Sequence, residues 1–134
     1  MAKILALDYG EKRIGVALSD ESGSIAFAYP HLDARDFRSL LDLIAENEVD
    51  EIIVGYPISM EGGESEGTKK TKVFVERLKA SVEAPVWLID ERLSTKEVLR
   101  ELADMGQDYK KSKEMIDSFV AQKMLERHLE KIKK

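Results

Sequence analysis

The chain has 134 residues, no cysteine, 43% hydrophobic and 35% charged residues, and a formal net charge of −5. This length and balance fit one soluble domain over residues 1–134 with a substantial core, and they exclude a disordered chain. The lack of cysteine excludes disulfides, thiol catalysis and cysteine-ligated zinc. No apolar run approaches the ~18 residues of a membrane span.

The first element expected is a buried strand, Lys3 to Asp8. Asp8 interrupts the apolar run too early for a signal peptide, so a cytoplasmic protein is expected. Tyr9-Gly10-Glu11-Lys12 reads as a turn in which Gly10 is free to take positive φ. Arg13 to Ser19 and Ser24 to Tyr29 complete an antiparallel meander. Asp33 to Glu48 carries Phe37, Leu40, Leu41 and Ile44 at helical spacing. Asp50 to Gly55 is a strand stopped by Pro57. Residues 61–67 have no periodicity and read as a loop. Thr68 to Ser81 is a helix with Phe74 and Leu78 on one face. Pro85 to Asp90 is the last strand. Ser94 to Met105 is a helix opened by a capping box and closed by Gly106. The last helix runs from about Ser112 to Lys131. Trp87 and Phe74 are expected in the core, and His128 on a solvated helix face.

The order β-β-β-α-β-α-β-α-α predicts an α/β fold. Its mixed five-stranded sheet combines an antiparallel meander with two parallel strands and carries helices on both faces. The first strand is expected at its centre.

Charge is distributed unevenly. Lys110 to Lys134 holds eight basic and four acidic residues, a local +4, which leaves −9 for the rest. Such asymmetry suits either a polyanion-binding surface or a solvated lysine-rich tail.

Three acids stand at element ends: Asp8 after the first strand, Glu91 after the last, and Asp117 early in the final helix. Carboxylates are costly to bury unpaired. Gathered at one sheet edge, they form a hard oxygen site for one or two Mg²⁺ or Mn²⁺ ions. That is the equipment of metal-assisted phosphodiester cleavage. Asp90 and Glu91 face opposite sides if the strand continues, so either is open as the ligand. Lys12 and Arg13 suit phosphate contact or a solvated hairpin tip. Arg92 suits a phosphate clamp or a neighbouring carboxylate. Ser94 and Thr95 suit a helix cap, whose N-terminus also attracts phosphate. Gly10 and Gly55 would let backbone approach a substrate.

The strand order resembles the ribonuclease H-like fold, and four motifs narrow the resemblance. Asp8-Tyr9-Gly10-Glu11-Lys12-Arg13-Ile14-Gly15-Val16-Ala17 is similar to the opening signature of the YqgF family, also called RuvX. Val54-Gly55-Tyr56-Pro57 resembles its glycine-proline loop, and Asp90-Glu91-Arg92-Leu93-Ser94-Thr95 its acidic-arginine motif. Asp117, with Val120 and Ala121 following, resembles its last motif. The chain departs at Tyr56, where the family usually has leucine, and at Val120, where it usually has alanine.

The resemblance implies a metal-dependent nuclease that trims the 5′ end of precursor 16S ribosomal RNA, with Asp8, Glu91 and Asp117 as catalytic metal ligands. An older reading of the family implies a Holliday junction resolvase acting on branched DNA. The expected partner is nucleic acid rather than membrane, and the expected state is a monomer or weak homodimer. Two other classes stand beside these. A nucleotide phosphotransferase would need a second such domain. A non-catalytic RNA-binding assembly factor would keep the acids for structure.

Overall fold

The computed structural model describes residues 3–10, 12–56, 66–90, 100, 103–104 and 116–132. Among these residues the strands are β1 Ile4–Tyr9, β2 Arg13–Ser19, β3 Ala26–Asp33, β4 Glu51–Tyr56 and β5 Val86–Asp90. The helices α1 Phe37–Glu46, α2 Glu66–Ser81 and α3 Ile116–Ile132 accompany them. The expected helix Ser94–Met105 lies outside the described residues, except that residues 100, 103 and 104 are helical.

The sheet order is β3-β2-β1-β4-β5. β1 pairs antiparallel with β2 and parallel with β4, and β5 extends the parallel side. β1 is therefore central, as expected from a meander followed by crossover helices.

Alternation along β1 divides the core into two layers. Leu5 and Leu7 join Ile14, Val16, Ile52 and Val54 beneath α1 and α2, which contribute Leu40, Phe74 and Leu78. Ile4 and Ala6 join Ala17, Ala26 and Ile53 beneath α3, which contributes Ala121, Met124, Leu125 and Leu129. The α3 face is paved largely with small side chains, so the helix lies close to the sheet.

β3 runs four residues past its expected end at Tyr29. Pro30 is tolerated because β3 is an edge strand and the β2–β3 register shifts between Ile14 and Val16. Asp33, expected to open the first helix, instead pairs with Arg13 in the sheet. α1 begins three residues after Asp33's neighbour Ala34, because Asp36 is the N-cap and its carboxylate accepts from the Ser39 amide at 3.1 Å. At the other end, Glu48 takes φ 49° and donates its amide to Ala45 O, while Val49 donates to Ile44 O. This is a Schellman closure without its usual glycine.

Three expectations are corrected. Gly10 does not adopt positive φ; of the described glycines only Gly23 does, at 70°. Trp87 is 55% exposed rather than core, because it lies on edge strand β5. His128 is not solvated: its side chain is only 19% exposed, with Nε2 3.5 Å from Glu51 Oε1. His128 is on α3 and Glu51 on β4, so the contact joins helix and sheet.

Candidate active site

Asp8 occupies the carboxyl-terminal end of central strand β1 and is partly buried. Its cross-strand neighbours are Gly15 on β2 and Gly55 on β4. Neither has a side chain, so the carboxylate has lateral room along the sheet. Ile89 of β5 follows Gly55 in the same row. All four positions are on the α3 side, since Asp8 follows Ile4 and Ala6 by the two-residue alternation.

Arg13 shares this side, two residues before Gly15 on β2, and is exposed. Lys12 is also exposed, and its carbonyl accepts from the Ala34 amide at 2.9 Å. The β1–β2 turn is held tight by a bond from the Gly10 amide to Arg13 O at 3.0 Å. A Cβ at Gly10 would come within 2.8 Å of that same oxygen. The glycine is required for space beside Asp8.

The start of α3 is tied to the same place. Val16 N–H, next to Gly15 and inside the irregular β2–β3 register, donates to Ser118 Oγ at 3.0 Å. Ser118 is fully buried. A buried amide without an acceptor is costly, so this bond fixes where the helix begins. Asp117 precedes Ser118 in the first turn of α3, so its backbone enters the helix beside the Asp8 row; its side chain lies outside the described part. Asp90 ends β5, with its side chain likewise outside it. Glu91, Arg92, Ser94 and Thr95 lie outside the described residues.

Of the expected site, the structure brings together Asp8, Gly10, Lys12, Arg13 and Gly55. Among the described residues no group of three potential metal-ligating side chains forms. Two positions of the site carry no signal of their own in the sequence. Gly15 is one glycine within the opening motif, yet it is the register partner of Asp8. Ser118 gave no sign of its role, because its partner Val16 lies 102 positions away.

Residues 2–131 match the RuvX family, described as Holliday junction resolvase. The chain is 39% identical over 131 residues to a protein of Halothermothrix orenii named "Putative pre-16S rRNA nuclease", covering 95% of this chain and 94% of that one. Among solved structures, fowlpox virus resolvase, crystallised with Holliday junction DNA, matches with a TM-score of 0.62 at 15% identity, covering 98% and 99% of the two chains. RuvC of T. thermophilus, in complex with a Holliday junction substrate, gives 0.58 at 12% identity, covering 99% and 96%. At such identities the structural matches speak for the ribonuclease H-like fold. The family match spans nearly the whole chain, including the Asp8 row and the start of α3, and on that evidence this chain belongs to the RuvX family.

Proposed function

We propose that residues 1–134 form one nuclease domain that hydrolyses phosphodiester bonds in precursor 16S ribosomal RNA. The observation that carries this reading is Asp8: an acid on the central strand, flanked by two glycines, beside the anchored start of α3. The name borne by the Halothermothrix relative supports the choice of RNA.

Asp8, Glu91 and Asp117 are the proposed catalytic ligands for Mg²⁺ or Mn²⁺. Carboxylate oxygens are the donors such hard cations prefer. The alternation supports Glu91 over Asp90. Ile89 packs on the Asp8 side, so the residue two further on belongs to that side in a continued strand, and Asp90 to the other. The bound cation supplies the positive charge that activates water and stabilises a departing oxygen. The chain's own residues do the positioning. Lys12 and Arg13 hold the backbone at the exposed β1–β2 turn, and Arg92 is assigned to a phosphate. Gly10 and Gly55 keep the approach to Asp8 low. Ser94 and Thr95 are assigned to substrate phosphate as well, since hydroxyls at a helix start suit an anion. The proposed setting is the cytoplasm; among the described residues, no helix is long and apolar enough to cross a membrane.

The description of the family favours a second reading, cleavage of four-way DNA junctions. One assay separates the two. Labelled precursor ribosomal RNA, single strands and a four-way junction are incubated in parallel with Mg²⁺ or Mn²⁺. Preferential cutting of the precursor RNA is expected. Cutting of the junction alone reverses the ranking. No cutting of any substrate leaves the RNA-binding assembly role.

A further inference from the structure

On the face of the sheet opposite Asp8, a cleft of about 290 Å³ opens between β1 and α2. Tyr9, the residue after Asp8, lines it with Val73, Phe74, Lys69, Lys70 and Arg77. Tyr9 stacks on buried Phe74, with ring centroids 4.3 Å apart and planes inclined by 21°. Phe37 meets Phe74 edge-on at 6.4 Å, and the Arg77 guanidinium lies 3.9 Å over the Phe37 ring. The aromatic floor and its arginine are thus held in place by one another.

The rim has a specific pattern. Lys69, Val73 and Arg77 follow each other at four-residue intervals, so they form one exposed stripe along α2. Val73 is 71% exposed between two cations. Together with Tyr9 and Phe74 it gives the cleft an apolar lining between cations. Over Glu66–Ser81 the five basic residues outnumber the two acidic ones, a local +3 in a chain of net −5.

We propose that this cleft is a subsite for an unpaired base of single-stranded RNA, with its flanking phosphates on Lys69, Lys70 and Arg77. The inference rests on the nuclease reading and extends it. Asp8 and Tyr9 are consecutive, so a strand crossing the carboxyl edge of β1 meets the proposed catalytic side and the cleft in turn. An unpaired base can turn its ring face onto such a platform, whereas a paired base is held in its own stack. Unpaired bases stack on aromatic side chains while cations track the backbone. An acidic peptide would use the lysines but not the ring platform.

Binding is measured on the full chain in chelator, without cleavage, using a fluorescent oligouridylate of about a dozen nucleotides. K69E/K70E/R77E is expected to lose at least ~10-fold in affinity, and its salt slope to fall by about 2. Lys79→Glu, on the same helix but outside the cleft, is expected to keep the parent affinity. Tyr9→Leu keeps apolar cover on Phe74 while removing the ring. It is expected to cost ~5-fold on oligouridylate and nothing on an abasic strand of equal length, with Tyr9→Phe restoring the loss. Parent affinity and slope in the triple variant would overturn the subsite. So would an equal loss from Lys79→Glu, or duplex RNA bound as tightly as the single strand. A Tyr9→Leu effect shared by the abasic strand would remove base stacking from the proposal. Failure of the parent to cut any RNA strikes the nuclease reading instead, and these binding results stand apart from it.

Discussion

At the residue scale, the position of Asp8 was legible because a charge ended an apolar run. What surrounds it was not. The pairing of Asp8 with Gly15 and Gly55 depends on strand register, which is decided by both core layers together. Asp8→Asn keeps the shape but removes a charge that a hard cation requires. It should abolish metal-dependent cleavage and weaken Mn²⁺ binding by titration, while the melting temperature holds. Full activity in a clean preparation would refute the metal-nuclease proposal. Gly10 tests the turn beside it. The sequence suggested conformational freedom, whereas the structure shows crowding against a backbone oxygen. Gly10→Ala should therefore destabilise by about 1–3 kcal/mol, as overpacking does, because the opposing atom cannot rotate away. Denaturant melts measure this, and an unchanged midpoint would show the turn to be slack.

At the element scale, strands and helices followed from periodicity, but their ends did not. β3 outran its expected end because a proline on an edge strand removes no needed bond. α1 began late because Asp36, not Asp33, captures the Ser39 amide. Both outcomes turn on hydrogen-bond partners, which residue types alone do not name. The end of α1 offers a direct test. Glu48 at φ 49° occupies a conformation that costs a side chain about 1–2 kcal/mol and glycine almost nothing. Glu48→Gly should stabilise the fold by about 1 kcal/mol, less the added freedom of the unfolded glycine. A lower melting temperature would mean that Glu48 has a role outside the backbone. The β2–β3 turn predicts acid sensitivity. Asp20 accepts from the Ser22 hydroxyl and from the Ile25 and Ser24 amides, and these bonds lower its pKa to about 2. The folded value lies below the unfolded one, so the contribution is complete above about pH 4 and is lost as the pH falls toward 2. Asp33 and Asp36 are shifted downward too, by Arg35 and Ser39 respectively. Melting temperature should fall across that window, and less steeply in Asp20→Asn. Parallel curves for parent and variant would assign the acid sensitivity elsewhere.

At the scale of the whole molecule, a negative chain must present positive surface to bind a polyanion. The sequence pointed to the last helix, because its basic residues cluster near the end. It did not point to α2, because Glu66 and Glu76 dilute the count and only the fold brings Tyr9 and Phe74 beside the lysines. α2 thus brings a local +3 to one face of the sheet, while α3 on the other face sets Lys123, Arg127 and Lys131 against Asp117, Glu126 and Glu130, with Asp8 at the carboxyl end of β1 on the α3 side. In α3, Lys123, Arg127 and Lys131 recur every four residues, while Ala121, Leu125 and Leu129 face the sheet. Lys123 is partly buried and lies 3.9 Å from Glu126. Replacing Lys123, Arg127 and Lys131 with alanine should weaken binding of single-stranded RNA irrespective of its sequence, because phosphate contacts carry no base information. Each lost phosphate contact lowers the salt slope by about 0.7, so the loss of three predicts a fall of about 2. If the strand crosses the sheet edge from α2 to α3, combining these changes with K69E/K70E/R77E should lower the slope by the sum of the two effects. Affinity measured across a salt series tests this. An unchanged slope in the α3 variant would make that helix a solvated face and leave α2 as the principal basic surface.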